Sequence, residues 1–259
     1  MSERNSLAVK RTLALLIATL LAACASATGA RTTTVITVAA AASLSAVFPQ
    51  IAAGFERANP GTNIRFTFGA SNGLATQISE GAPVDIFASA SPKWLDAVAV
   101  DTGVVARAVF ARNRLVVIVP RDNPARINRF ADIARPGVRL VVAAAGVPAG
   151  DYARQALARA NLGRALRNVV SNEQDVEGVV QKVVSGDADA GIVYATDVTT
   201  MVARSVTEVE LPASENVEAF YEIGVIRGTK VSSSAHAFMT YVLGSGQATL
   251  REAGFSSPA

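Results

Sequence analysis

Hydrophobic and polar positions follow two different periods along the chain from residue 35 onward. Short runs of apolar, often β-branched residues predict buried strands, and apolar residues spaced three or four apart predict helices between them. The predicted strands cover residues 35–39, 64–68, 84–88, 115–119, 140–144, 168–170, 190–194 and 223–226. The predicted helices cover residues 44–59, 74–80, 150–160, 175–184, 235–243 and 248–253, and a further helix opens at Ser91-Pro92.

This alternation of strands and helices predicts an α/β fold with mostly parallel sheets flanked by helices. In such sheets, ligands bind at the carboxyl ends of the strands, where the helices begin. Candidate binding residues are therefore expected at the strand-to-helix junctions.

The first 23 residues have the pattern of a secretory signal peptide. Lys10 and Arg11 precede an apolar run over residues 12–23, which is shorter than the ~20 residues that a membrane-spanning helix needs. The run ends in the sequence LAAC, which resembles a bacterial lipobox and implies cleavage before Cys24 and lipidation of its sulfur. We expect residues 24–32 to form a short tether, so that the exported protein is anchored to the outer face of the cell membrane.

Composition and charge narrow the classes of function. Half of the residues are hydrophobic and 17% are charged, which indicates a well-filled globular core. The net charge is +3, and the first 23 residues hold +2 of it. The nearly neutral remainder gives no basis for binding nucleic acid, which requires a concentrated basic face. Because Cys24 is the one cysteine, no disulfide can form within a chain.

Three strand-to-helix junctions consist of small and hydroxylated residues. Their sequences are AAASL at 40–44, FGASNGL at 68–74 and GVPAG at 146–150. A helix N-terminus presents unpaired N–H groups and attracts anions, and small side chains let an anion approach the backbone. No lysine, arginine or histidine occurs in these motifs, which favours an anion held by neutral dipoles. The alternative is that each serine only caps its own helix.

The order and spacing of these motifs resemble those of the periplasmic molybdate-binding proteins. The resemblance rests on AAASL at 40–44, FGASNGLATQI at 68–78, GAPVDIFASA at 81–90, VPAGDYA at 147–153, QDVEG at 174–178 and GIVYATD at 191–197. It extends from about Val35 to the C-terminus.

The resemblance implies a site that contains only hydrogen-bond donors. The hydroxyl and amide groups of Ser43 and Ser71 would donate to the oxyanion, as would the backbone N–H groups of Ala149 and Val176 and the phenol of Tyr194. No metal cation and no cofactor is expected, since molybdenum would be bound as its oxyanion. Two acidic residues depart from the family pattern, and both are expected to face solvent: Asp151 and Glu177.

The resemblance also implies a two-domain periplasmic-binding-protein fold of the type II kind, with the ligand in the interdomain cleft. We expect one domain over residues 33–112 plus 217–259 and the other over residues 113–216. The protein would be a monomer that binds molybdate or tungstate and delivers it to the permease and ATPase subunits of an ABC importer.

Three alternatives remain at this point. The ligand could be another tetrahedral oxyanion such as sulfate, or the protein could be a periplasmic structural or signalling domain without a ligand. It could also be an exported hydrolase that uses Ser43 or Ser71 as nucleophile, but such a serine needs an adjacent base. The one histidine, His236, lies in a predicted surface helix, so we expect no enzymatic activity.

Overall fold

The structure is a computed structural model that describes residues 33–258. The predicted signal peptide over residues 1–23, the predicted lipidation site at Cys24 and the tether over residues 24–32 lie outside these residues. Within the described part of the chain, no helix is both long enough and apolar enough to cross a membrane.

The described strands form two five-stranded sheets. The first sheet has the order β2-β1-β3-β10-β4 and contains β1 Thr34–Ala41, β2 Thr62–Gly69, β3 Ile86–Ser89, β4 Val104–Asn113 and β10 Ala219–Ile226. The second has the order β7-β6-β8-β5-β9 and contains β5 Leu115–Pro120, β6 Leu140–Ala143, β7 Val169–Glu173, β8 Ala190–Tyr194 and β9 Val206–Glu210.

Helices connect most of these strands. The α-helices of the described residues are α1 Phe48–Ala58, α2 Ser71–Ser79, α3 Pro92–Asp101, α4 Pro148–Arg159, α5 Val176–Val184, α6 Ser232–Leu243 and α7 Gly246–Glu252. The predicted α/β class is confirmed. The sheets are mixed, however, where mostly parallel sheets were expected. β1 pairs in parallel with β2 and β3, and β6 with β7 and β8, whereas β10 and β5 pair with their neighbours in antiparallel fashion.

Two strands and several helix starts differ from the sequence-based prediction. Strands β4 and β9 were not predicted, because arginines interrupt the apolar pattern of β4 and β9 buries little of its length. Helix α1 begins at Phe48, four residues later than expected, and a 3-10 helix occupies Ala42–Leu44. Pro49 accounts for this start, because a proline in the first turn gives up an N–H that has no partner there.

The mixed sheets still bring the predicted junctions to one place. The parallel strands β1 and β2 end at Ala41 and Gly69, and the chain then enters the 3-10 helix and α2. In the second sheet, the parallel strands β6 and β7 end at Ala143 and Glu173, before α4 and α5. Each sheet therefore presents two adjacent helix starts at its carboxyl edge.

The chain passes from the first sheet to the second between β4 and β5, and it returns between β9 and β10. The side chain of Asn216 joins the two passages, because its Oδ1 accepts the Leu115 N–H at 3.0 Å and its Nδ2 donates to the Leu115 carbonyl at 2.9 Å. The domain boundaries given above remain a prediction.

Candidate functional site

All five predicted site residues line one small cavity where the helix starts of the two sheets face each other. Ser43 and Ser71 come from the elements after β1 and β2, Ala149 and Val176 from α4 and α5, and Tyr194 from the end of β8. The volume of the cavity is about 10 Å³, close to the space that one water molecule needs. No lysine, arginine or histidine side chain is among the described residues that line it.

The serines of the first sheet do not cap their own helices. Neither the 3-10 helix at 42–44 nor α2 has a side-chain cap, and the residues in the cap positions are Ala41 and Ala70. The capping interpretation that the sequence left open is therefore wrong for both serines. Their hydroxyl groups are instead directed to partners around the cavity.

The Ser71 oxygen already accepts a hydrogen bond. The residue is 1% exposed, and its Oγ accepts the backbone N–H of Ala90, another residue of the cavity wall, at 3.0 Å. A hydroxyl carries one hydrogen, and the Ala90 contact does not use it. Ser71 can therefore donate that hydrogen to a ligand.

Two helix N-termini supply backbone donors from the second sheet. Ala149 lies in the first turn of α4, Val176 is the first residue of α5, and both are buried. First-turn N–H groups have no acceptor within their own helix and form the positive end of the helix dipole. Asp175, the cap of α5, satisfies the N–H of Gly178 at 2.9 Å and leaves the Val176 N–H to other acceptors.

Tyr194 contributes a buried hydroxyl that has no partner. The residue is 1% exposed, and its Oη makes no hydrogen bond within the described residues. Burial raises the pKa of this phenol well above its ordinary value, so the group remains a donor at neutral pH. A buried polar atom without a partner costs about 1–3 kcal/mol. A ligand oxygen in the cavity would remove that cost.

Acidic groups surround the cavity, and one of them, Asp175, is among its lining residues. The backbone N–H of Tyr194 donates to Asp197 Oδ2 at 2.9 Å, and burial raises the pKa of Asp197 to about 8. Glu177 is exposed, as predicted, and it contacts the Ser45 hydroxyl.

Asp151, which was expected to face solvent, does not line the cavity. Asp151 is half-buried, and its Oδ1 accepts the N–H of Gly146 at 2.7 Å. Its Oδ2 lies 3.4 Å from Lys93 Nζ on α3. Both carboxylate oxygens therefore have partners outside the cavity, and the negative charge is partly neutralised.

Contacts across the cleft join the helices of the two sheets. The Trp94 indole N–H on α3 donates to the carbonyl of Gly146 at 3.1 Å, beside the Lys93–Asp151 pair. The contact between Ser45 and Glu177 bridges the cleft at another point. These contacts hold helices of the two sheets together beside the cavity.

Sequence reasoning missed two polar residues behind Ser43. The Ser43 Oγ lies 2.8 Å from the hydroxyl of Tyr221 on β10, and Asn113 at the end of β4 lies behind Tyr221. Both residues are buried. Tyr221 lies just before the predicted strand 223–226 and Asn113 belongs to a strand that was not predicted. Neither neighbours a junction motif, so no local signal identified them.

Solved structures with the same architecture define the class. The periplasmic molybdate-binding protein of Azotobacter vinelandii superposes with a TM-score of 0.76 at 22% identity, covering 86% of this chain and 100% of that chain. The sulfate-binding protein SubI from Mycobacterium tuberculosis gives a TM-score of 0.76 at 17% identity, covering 86% and 87% of the two chains. The fold is that of the periplasmic binding proteins.

Sequence comparison narrows this class to a family. Residues 36–256 match the family described as bacterial extracellular solute-binding protein. The molybdate-binding protein ModA of Mycobacterium tuberculosis is 39% identical over 226 residues, which are 86% of this chain and 85% of the relative. The chain belongs to the bacterial extracellular solute-binding protein family that includes ModA, and the resemblance stated from the motifs is confirmed.

Proposed function

We propose that this protein binds molybdate, and also tungstate, outside the cytoplasm and delivers it to the permease and ATPase subunits of an ABC importer. The partnerless hydroxyl of Tyr194 is the observation that carries the proposal, because it needs an acceptor and lines the same cavity as two helix N-termini. The ModA relative and the Azotobacter structure are both named as molybdate-binding proteins, which supports this choice of ligand.

The proposed ligand shell consists of Ser43, Ser71, Ala149, Val176 and Tyr194. Each of these groups donates, and molybdate is a fully deprotonated tetrahedral dianion that only accepts. Hydrogenphosphate keeps a proton at neutral pH, and that proton would face donors in a buried site. The fold is shared with a sulfate-binding protein, so the fit of the oxyanion to the donors must reject sulfate, which is smaller than molybdate.

The surroundings of Ser43 and Ser71 favour ligand binding over nucleophilic catalysis. Their oxygens contact Tyr221 and the Ala90 N–H, and neither partner can act as the base that a serine nucleophile requires. His236 is exposed on α6, where its Nδ1 lies 2.8 Å from the Ser232 carbonyl oxygen. We therefore propose a solute-binding protein that needs neither a cofactor nor a metal cation.

Isothermal titration calorimetry of the purified protein tests this ligand assignment. We expect one molybdate per chain with a Kd below about 1 µM, which corresponds to about −8 kcal/mol or better. Tungstate should bind at a similar level, sulfate much more weakly and phosphate hardly at all. Phosphate binding as tight as that of molybdate would require an acceptor in the shell and would contradict the all-donor site.

We further propose that the two sheets are the cores of two domains, over residues 33–112 plus 217–259 and residues 113–216, in a monomer. A ligand that contacts both domains favours the closed form over the open one. Small-angle scattering of the calorimetry samples should give a monomer mass and a smaller radius of gyration with molybdate. An unchanged radius at saturation would contradict closure while leaving binding intact.

Lipid anchoring at Cys24 is a separate proposal, supported by the LAAC sequence alone. Replacing Cys24 with alanine removes the sulfur that would carry the lipid, so we expect the protein to leave the membrane fraction or to keep its signal peptide. Cell fractionation and mass spectrometry of the mature N-terminus measure both outcomes. A wild-type N-terminus without lipid would disprove the anchor.

A further inference from the structure

A chain of polar side chains, most of them buried, leads from the cavity to the passage between the two sheets. Its members are Ser43, Tyr221, Asn113 and Thr196, the last of which lies two residues after Tyr194. Ser43, Tyr221 and Asn113 are 8%, 0% and 4% exposed. Buried polar groups of this kind are strongly constrained, because each must find its partner within the protein.

The orientation of the Asn113 amide constrains the donor and acceptor roles in this chain. The Asn113 Oδ1 accepts the backbone N–H of Arg114 at 2.9 Å, which fixes the orientation of the amide. The Nδ2 then donates to Thr196 Oγ1 at 2.8 Å and directs its second hydrogen to the Tyr221 oxygen at 3.5 Å. Because the Tyr221 oxygen faces a donor, its own hydrogen is free for Ser43.

The Ser43 and Tyr221 oxygens lie 2.8 Å apart, and the Asn113 contact favours Tyr221 as the donor, which would leave the Ser43 hydrogen for the cavity. Burial raises the pKa of the Tyr221 phenol well above its ordinary value, so the donor persists at neutral pH. The Ser71 oxygen also accepts a hydrogen bond, in its case from the Ala90 N–H. With Tyr221 as the donor, each serine oxygen receives a hydrogen bond from the protein.

We propose that Tyr221 is a positioning residue, whose hydroxyl orients the Ser43 hydroxyl as a donor to the bound oxyanion. This inference rests on the proposed function. It assigns to Tyr221 no contact with the ligand, since Tyr221 is not among the residues that line the cavity.

The ring of Tyr221 is held independently of its hydroxyl. It packs edge-on against Phe110, Tyr194 and Phe255, with centroid distances of 6.1, 5.7 and 5.4 Å. A Tyr221→Phe substitution keeps these contacts and removes only the hydroxyl. Tyr241→Phe is a matched control, because Tyr241 does not line the cavity and its ring packs against Phe55.

The test is a double-mutant cycle on molybdate affinity, measured by calorimetry. We expect Tyr221→Phe to weaken binding about fivefold, below the full loss of a hydrogen bond to a charged group because the contact is indirect. Tyr241→Phe should leave the affinity unchanged. In a Ser43→Ala background, Tyr221→Phe should cause no further loss, whereas in a Ser71→Ala background it should cause the same fivefold loss.

The outcomes separate this inference from the proposed function. If the wild-type protein does not bind molybdate, the proposed function fails. If it binds and Tyr221→Phe has no effect, or has the same effect with and without the Ser43 hydroxyl, the positioning role is refuted. Thermal unfolding of each variant, followed by circular dichroism, identifies any general loss of structure, which would reduce affinity equally in both serine backgrounds.

Discussion

Replacing Ser71 with alanine should weaken molybdate binding by about 1.5–3 kcal/mol, or roughly 10- to 150-fold. The hydroxyl is buried, and its oxygen is occupied by the Ala90 N–H. That contact does not use the hydroxyl hydrogen, which is available to a ligand in the cavity that Ser71 lines. Without that hydrogen, one oxygen of the dianion loses a hydrogen-bond donor inside the protein, where water cannot replace it.

The control for this prediction is Ser89→Ala. Ser89 is also fully buried and lies at the end of β3, but its hydroxyl donates to the Ser91 carbonyl at 2.7 Å and it does not line the cavity. Calorimetry should show a large loss of affinity for Ser71→Ala and little change for Ser89→Ala, while thermal unfolding reports the stability cost of each. An unchanged affinity in Ser71→Ala would mean that the oxyanion binds elsewhere.

The five predicted site residues could be found from sequence because each lies beside a local signal. Ser43, Ser71, Ala149 and Val176 occur at or next to the start of a helix, and Tyr194 ends a strongly apolar strand. The rule that ligands bind at the carboxyl ends of strands places such junctions together. Selecting these five residues still required the family resemblance, because an N–H of alanine or valine has no signature of its own.

Long-range partners could not be predicted in the same way. Asp151 was expected to face solvent, but Lys93 and the Gly146 N–H hold it, and Lys93 is 58 residues away in sequence. Tyr221 lies 178 residues from Ser43. Tyr221 comes close to Ser43 only because β10 lies between β3 and β4 in the first sheet. The hydrophobic pattern of the sequence does not reveal a mixed sheet order of this kind.

The site attracts an anion without a cationic side chain in its wall. Two helix N-termini and three hydroxyl groups supply the positive ends of dipoles, and Lys93 lies nearby in a pair with Asp151. Such groups are fixed by the fold, so they need little reorganisation when a ligand enters. The affinity therefore depends on how precisely the helix starts are positioned. That positioning depends in turn on residues that do not contact the ligand.

Gly150 is the clearest of these residues, and Gly150→Ala should both destabilise the protein and weaken molybdate binding. Gly150 follows Ala149 in the first turn of α4, and this turn lies against the end of β6. A Cβ at this position would lie 2.2 Å from the Ala144 carbonyl oxygen and 2.3 Å from that of Ala143. Both atoms are backbone, so the helix start must move away and take the Ala149 N–H with it.

Overpacking of this kind costs about 1–3 kcal/mol or more, which corresponds to a fall in Tm of roughly 2–12 °C for a chain of this size. Gly73→Ala is the matched control, since Gly73 is likewise the third residue of its helix, α2, and a Cβ there meets no atom within 4 Å. Thermal unfolding should show a lower Tm for Gly150→Ala and an equal or slightly higher Tm for Gly73→Ala, because alanine favours helix over glycine. Calorimetry below the Tm should show weaker molybdate binding for Gly150→Ala. Wild-type affinity in a destabilised Gly150→Ala protein would mean that the start of α4 supplies no donor to the oxyanion.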